Sequence, residues 1–497
     1  MGAPIEAARE ATTGEPTETV KVPKLYKPSR GLPPHQPENP ADRPCSCGVC
    51  QQVPVPQASS VDLPTTVAKN GDAINGAGDS PVFVGIYPQG LGNLSIDELG
   101  RISATVVSHL EEHVALLFHL PPPLQHGDAV ELSTFELLFE LVNGICTLPP
   151  AATVADIAEA AEVQVRGAAD SWRRKMRQFG TWRISVHRYH LVDHYKAPEV
   201  APVIGDAMAA VGAISLAEGC TAGPVVDLLG FDVEVVVYLS DGIDKLRAAA
   251  DTQGRAMLGG KDELMLLGLR YNSLHCHPAK LTVEKGDILS RAHNTIAFCV
   301  AQRAADLLER QALTKQSACE SLRIMDPMCG VGTYVLAMRW VLERRSGAPA
   351  ELLGVDVEKE SVWQFWQNAQ ATDNISQSRA RWPVAALRGS STNLPVRSNS
   401  IDLIIVDPPW GQRHASHTTV KQGFPKWARE WARVLKPGGL ALVVTICKKV
   451  FENQVMPPLQ QKGLLELEDA VQFNNKGYTV CRLYTVRKPI EAAEVSK

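Results

Sequence analysis

The sequence predicts an α/β protein: a doubly wound parallel sheet at residues 280–490, preceded by two smaller α+β units and an N-terminal segment with no fold of its own. Three observations carry this prediction. From about residue 280 strand-like and helix-like patterns alternate, as crossover connections between parallel strands require. Several of those strands run straight into an aspartate, at the end of the sheet where open α/β folds take their ligands. Before residue 80, by contrast, proline, glycine and small polar residues dominate, and Tyr26 is the only aromatic ahead of Phe83.

That first segment, 1–80, cannot bury enough surface to offset its ordering entropy and is expected to be disordered. It holds Cys45, Cys47 and Cys50 in "CSCGVC". Zinc sites usually take four ligands as two spaced pairs, and no second pair follows, so three free thiols and no metal are expected unless a partner completes the set. Across the 497 residues the 11 cysteines are otherwise scattered singly, which suits a reducing compartment. No apolar run approaches the roughly 20 residues of a membrane span, and "MGAPIEAARE" lacks an apolar signal core. A soluble protein of the cytoplasm or nucleus is expected, without a membrane partner. The net charge of −4 excludes a cationic field over the whole molecule, so nucleic-acid binding would need local basic patches.

The unit at 81–150 begins with "SPVFVGIYPQGLGNLSIDELGRISATVVSHL"; short strands alternate with helical patterns, "DAVELSTFELLFELVNGI" being read as one of the latter. In the unit at 151–260, "TVADIAEAAEVQV" has helical spacing, "TWRISVHRY" alternates like a strand, "APEVAPVIGDAMAAVGAI" is helical and "FDVEVVVYL" is a strong β-run. Between Ser171 and Val192 stand five arginines, one lysine, two histidines and no acid, with Trp172, Phe179, Trp182 and Tyr189 interleaved. Arg173, Arg174, Lys175, Arg177, Arg183 and Arg188 are therefore candidates for RNA phosphates, the aromatics for stacked bases. A helix and strand with a solvated arginine face and a core of aromatics is the competing reading.

In the last unit "SRAHNTIAFCVAQRAADLLERQAL" reads as a helix, followed by strand "LRIMD", helix "VGTYVLAMRWVLERR", strand "ELLGVD" and helix "KESVWQFWQNAQ". "IDLIIVD" is a strand, "FPKWAREWARVL" a helix and "LALVVTI" a strand. Pro437 and two glycines end the "FPKWAREWARVL" helix. Trp427 and Trp431, four apart, belong to the core; Trp363 and Trp366 could reach over a bound base, but packing is the simpler reading.

Chemistry is expected at the strand ends. In "DPMCGVGT" Asp326 closes a strand, Pro327, Met328 and Cys329 turn, and Gly330, Gly332 and Thr333 open a helix. The glycines allow a tight turn and close approach of a ligand. An acid leading that turn would repel a pyrophosphate but suits an ammonium group. Asp356 in "GVDVE" can accept both hydroxyls of a ribose. A ribose, an ammonium and little negative charge describe S-adenosylmethionine. In "IIVDPPWG" Asp407 is followed by Pro408, Pro409 and Trp410. An exocyclic amine on a base is a poor nucleophile because its lone pair is delocalised into the ring. The Asp407 carboxylate and the Pro408 carbonyl can accept its two N–H bonds and offset charge as it develops, while Trp410 can stack on the base. Arg413, in the loop that follows, is a candidate for a substrate phosphate.

In this order and spacing the three motifs resemble the amino-group methyltransferases of the Rossmann-like class. "TWRISVHRY", "PEVAPVIGDAM" and "FDVEVVVYLSDG" are similar to the THUMP RNA-binding domain, whose enzymes carry a ferredoxin-like unit before it. "HCHPAKLTVEKGDILSRAHNTIAF" and "SSTNLPVRSNSIDLIIVDPPWGQRH" resemble the connector and the third and fourth motifs of the THUMP methyltransferases. The resemblance implies transfer to N(2) of guanosine, in tRNA or in a spliceosomal small nuclear RNA, and a small zinc-containing activator subunit as partner. It also implies a cofactor contact at Ser390, where Ser390 and Ser391 replace an acid common in relatives, and "DPPW" stands in place of "DLPF". A non-catalytic THUMP scaffold is the rival reading.

Overall fold

In a computed structural model the described residues are 80–122, 124, 130–189, 195–214, 225–241, 262–271, 274–275, 292–315, 321–345, 349–375, 382–411, 416–475 and 479–490. Residues 1–79, with Cys45, Cys47 and Cys50, and the loop carrying Arg413 lie outside them.

The front half is built on one nine-stranded sheet shared by both predicted α+β units. It contains β1 (Val82–Ile86), β2 (Thr105–Leu110), β3 (Ala115–His119), β5 (Leu137–Leu141), β6 (Cys146–Leu148), β7 (Thr181–Tyr189), β8 (Val225–Val226), β9 (Val233–Ser240) and β10 (Glu263–Tyr271). Their order is β2-β3-β1-β5-β10-β9-β7-β8, with β6 also paired to β10. Two short strands, β4 (Val130–Glu131) and β11 (Leu274–His275), pair in parallel apart from it. The stretch read as helical, "DAVELSTFELLFELVNGI", is instead β4 and β5. All five residues of β5 are buried between β1 and β10. A strand covered on both faces loses the period-2 alternation that would have identified it.

The β-branched run of β9 is buried along its whole length and alternates between two cores. Val233, Val235, Val237 and Leu239 pack under the helices α2 (Val154–Gly167), α3 (Ala169–Met176) and α4 (Ala197–Ala210). Val236 and Tyr238 face the core of β1, β3 and β5. Helix α2 starts at a capping box in which Thr153 Oγ1 accepts from Asp156 N and the Asp156 carboxylate accepts from Thr153 N.

The second half is a seven-stranded sheet, β12 (Leu322–Asp326), β13 (Ala350–Asp356), β14 (Val384–Arg388), β15 (Ile401–Val406), β16 (Leu435–Thr445), β17 (Glu466–Asn475) and β18 (Thr479–Arg487). The order is β14-β13-β12-β15-β16-β18-β17. Strands β12 to β16 pair in parallel, and β18 adds antiparallel to β16. Helices α5 (Asn294–Lys315), α6 (Thr333–Arg344), α7 (Lys359–Ile375) and α8 (His417–Val434) are the crossovers and flanking layer. In α8, Val420, Phe424, Trp427, Ala428 and Trp431 recur at helical spacing and are buried. The helix ends at Val434, ahead of Pro437, as the sequence requires.

The two halves share a buried interface. Leu91, just before α1 (Gly92–Arg101), and Leu94 within it pack into the same core as α5 and α6. Glu98 of α1, 6% exposed, accepts five hydrogen bonds. Four come from the Ser133 and Thr134 amides and hydroxyls, at 2.5–3.0 Å. The fifth comes from Gln302 Nε2 of α5 at 3.2 Å. Arg101 and Arg345 both pair with Asp306 beside it. A carboxylate so held cannot be removed without stranding buried donors. Replacing Glu98 by Ala is expected to lower the unfolding free energy by about 3–5 kcal/mol, read as a lower urea midpoint with unchanged slope. A change within about 0.5 kcal/mol would mean the network is not structural.

Candidate active site

Strand β12 lies between β13 and β15, so Asp326, Asp356 and Asp407 come to neighbouring carboxyl ends of one sheet. The three sequence-predicted strand-end acids are thus brought together. Asp326 is buried, and its Oδ1 accepts from Met328 N at 2.9 Å. Burial pushes its carboxyl well above the usual range, Asp356 and Asp407 push further, and the Met328 amide opposes them. Asp407 is raised to about 7 by the protein crowding it, with the Trp410 indole pulling the other way. The residue as a whole is half-buried.

The turn after β12 is held from below and from the side. Gly330 and Gly332 have φ of 51° and 87°, the left-handed region that side chains disfavour. A Cβ on Gly332 would lie 1.9 Å from the Phe365 ring of α7, and one on Gly354 would lie 2.4 Å from it. Phe365 is therefore the floor of the turn, and Asn368 one turn later donates to Val331 O at 3.0 Å. Sequence reasoning missed both; their three-residue spacing in "SVWQFWQNAQ" is the signal that could have found them. Asp356 closes the side: its Oδ2 accepts from Gly330 N and its Oδ1 from Glu358 N, each at 2.9 Å. Each oxygen keeps a lone pair for a ligand hydroxyl.

The geometry fits the predicted cofactor. Thr333 Oγ1, at the start of the 12-residue helix α6, is buried with no hydrogen-bond partner among the described residues. The helix has no side-chain cap, and a Cβ on Gly330 would meet open space. Thr333 with the first amides of α6 would take the carboxylate of S-adenosylmethionine. Asp326 would face its cationic end and Asp356 its ribose. Pro327 and Cys329 are buried in the turn. Burial raises the Cys329 thiol well above its ordinary range, which makes it inert packing. Met328 is half-buried against the core of β15 and α8. Ser390 lies exposed in the turn after β14, its hydroxyl 2.8 Å from that of Thr392. Ser391 is the buried neighbour, accepting from Trp431 Nε1 at 3.3 Å.

At β15 the chain leaves the sheet through Pro408 and Pro409. Trp410 Nε1 donates to Asp407 Oδ1 at 2.6 Å, so the ring stands beside the carboxylate as its partner. Asp407 Oδ2 has no hydrogen bond among the described residues and is the oxygen open to an amine. Trp363 and Trp366, expected in the core, are instead 57% and 46% exposed and stacked on each other at 5.2 Å.

The basic stretch divides in two. Lys175 pairs with Glu140, and Arg183 is forked onto Glu234 at 2.6–2.9 Å over the Phe231 ring. Arg188 donates to the Tyr195 carbonyl. Trp172 and Trp182 are core. Arg173, Arg174 and Arg177, with Asp170, line an open concavity of about 640 Å³. Arg173 is held by Asp170 and the Val211 carbonyl, while Arg174 and Arg177 have no ion pair among the described residues.

A largely parallel sheet with a glycine turn, aspartates at three strand ends and an Asp-Pro-Pro-Trp loop is the arrangement of a methyltransferase domain of the Rossmann-like class. Residues 311–458 match the family described as RMKL-like, methyltransferase domain. The chain is 31% identical over 133 residues to the tRNA (guanine(6)-N(2))-methyltransferase THUMP3 of Mus musculus, 26% of each chain being covered. It is 30% identical over 123 residues to the U6 snRNA (guanine-N(2))-methyltransferase THUMPD2 of Bos taurus, covering 24% of this chain and 21% of that one. The matches thus span about a quarter of those relatives' length. TrmN from Thermus thermophilus has the same fold over 82% of this chain and 99% of its own, with TM-score 0.52 and 17% identity. A possible methylase from Clostridium difficile 630 gives TM-score 0.54 and 11% identity over 82% and 98%.

Replacing Gly332 by Ala is expected to cost about 2–4 kcal/mol, from the disfavoured φ and the overlap with Phe365. It should also abolish cofactor binding by calorimetry. Phe365→Leu in the same chain should restore part of the stability; wild-type stability and affinity in the single variant would contradict the geometry.

Proposed function

We propose that this chain is an S-adenosylmethionine-dependent RNA methyltransferase that forms N(2)-methylguanosine, with tRNA as its substrate. The observation that carries the reading is Asp407, which has an open carboxylate oxygen and sits one strand from the cofactor turn in a loop stiffened by two prolines. Bound S-adenosylmethionine supplies an electrophilic methyl group on a sulfonium. Asp407 Oδ2 and the Pro408 carbonyl accept the N–H bonds of the guanine amine and aim its lone pair at that methyl. As the C–N bond formed, the sulfur–methyl bond would break and leave a neutral thioether; positive charge would grow on the amine beside the Asp407 carboxylate, and the surplus proton would leave to Asp407 or to water. The Arg174–Arg177 concavity takes RNA phosphates away from the reacting base.

The similarity to both a tRNA and a U6 snRNA enzyme supports guanosine N(2) and keeps small nuclear RNA as the second substrate. The front half as an RNA-binding THUMP region with a ferredoxin-like unit ahead of it belongs to the same proposal. So do a zinc-containing activator subunit and action in the cytoplasm or nucleus. The scaffold reading is disfavoured because all three strand-end acids are in place.

Labelled methyl transfer to total tRNA and small nuclear RNA, with and without the activator, followed by nucleoside analysis, tests this. N(2)-methylguanosine should form and should fall by about 10²–10³ with Asp407→Ala, cofactor affinity being retained. A product on adenosine, or none with cofactor bound, would contradict the reading. The rate should also depend on pH. Below about 7 Asp407 binds a proton and loses its acceptor oxygen, so the rate should climb about tenfold per pH unit and level off above the midpoint. A bound cation favours the ionised carboxylate, so the midpoint in kcat should lie below that in kcat/KM for the cofactor. A flat profile from pH 5 to 8 would remove Asp407 from this role.

A further inference from the structure

Arg413 was the sequence's choice for a phosphate contact near the chemistry. The described residues offer a different pair of cations there, Lys448 and Lys449, immediately after β16. Strand β16 pairs with β15 up to Val406↔Val443, so its carboxyl end stands next to the Asp407 loop. Contact is direct at the residue before the pair: Cys447 Sγ donates to the Trp410 carbonyl at 3.6 Å. Lys448 is also close enough to Cys481 to pull its thiol pKa down, while Asp407 pushes the same thiol up, so both charges border one group.

Neither lysine is neutralised. Neither has an ion pair among the described residues. The acid one helical turn on, Glu452, is already committed to Arg482 and to the Tyr484 hydroxyl, the latter at 2.7 Å. Nor does local stability account for them, since cations at the start of a helical run oppose its dipole. Lys448 is half-buried and Lys449 exposed. The strand ends beside them carry Asp326, Asp356 and Asp407, which argues against an anionic ligand among those acids and for an anion held at the lysines.

We propose that Lys448 and Lys449 form a phosphodiester-binding site for the nucleotide whose base enters the Asp407 loop. The site positions the base and is distinct from the arginine concavity of the front half. The inference rests on the RNA-methyltransferase reading and deepens it. A phosphate held here tethers the reacting nucleotide by its backbone and leaves the ring free to turn toward Asp407 and Trp410, in keeping with positioning by phosphate and choice by base.

The test uses the full chain, a long RNA substrate and a short single-stranded RNA carrying the target guanosine. Lys448→Ala with Lys449→Ala should raise KM for both RNAs about tenfold and reduce the slope of log kcat/KM against log salt by about one to two. Cofactor affinity should stay unchanged, and Lys448→Arg with Lys449→Arg should restore most of the KM. Arg174→Ala with Arg177→Ala should weaken only the long RNA. An unchanged KM and salt slope in the double alanine variant, with the wild type active, would overturn the site. A wild type that methylates no RNA would instead overturn the underlying reading. In that case the site is read by anisotropy of the short labelled RNA: a double alanine variant that binds as the wild type does overturns the site too.

Discussion

Three carboxylates at three adjoining strand ends, none of them in an ion pair among the described residues, set the terms for this half. Asp326, Asp356 and Asp407 are held by donors that carry no full charge: the amides of Met328, Gly330 and Glu358 and the indole of Trp410. Burial favours protonated Asp326 and Asp407, and at Asp326 the two neighbouring carboxylates add to it. A ligand bearing positive charge reverses that preference, because an opposite charge at short range stabilises the ionised form. The ring of Phe365 under Gly332 and Gly354 keeps the turn low enough for a ligand to lie across it.

This much was legible in the sequence because it is local. A β-run that ends in Asp, then a turn with glycines or prolines, states both the strand and its chemistry within about ten residues. What the sequence did not disclose is long-range. Strand β14 has an exposed, weakly apolar pattern that gives no period, and the β17–β18 hairpin closes the far edge of the sheet without a turn signature that was read. Strand β5 carries no alternation because both its faces are covered. Its pairing with β10 joins residues more than a hundred positions apart, so the boundary expected near residue 150 falls within a single sheet.

The arginine-rich stretch shows the same limit in electrostatic form. Composition counts cations, whereas binding depends on which of them remain unpaired. Arg183 is neutralised by Glu234, 51 residues along the chain, and Lys175 by Glu140, 35 residues before it. Burial drives Glu234 upward, but Ser185 and the arginines outweigh it and hold the carboxyl below its ordinary value, so it stays a charged partner. Of six candidates Arg174, Arg177 and Arg188 have no ion pair among the described residues, and Arg188 donates to the Tyr195 carbonyl. Of the aromatics interleaved with them, Trp172 and Trp182 went to the core, and Phe179 and Tyr189 are half-buried.

The interface between the halves bears on how such an enzyme selects its substrate. Glu98 is saturated by donors from two separate elements, and Gly90 lies so close to β17 that a Cβ would come 2.2 Å from the Gln472 carbonyl. Asn474 N completes the contact by donating to Gln89 O at 3.0 Å. A junction that combines buried apolar side chains, a filled carboxylate and backbone contact has little room to flex without breaking several interactions together. The basic concavity and the Asp407 loop are therefore held at a fixed separation. Under the proposed function an RNA engaging both would have to span that separation in its own folded shape, which would make its geometry, rather than the bases around the target, the basis of choice. Shape-based choice of this kind needs no base-specific side chain in the front half, which is consistent with its uncommitted side chains being arginines suited to phosphate.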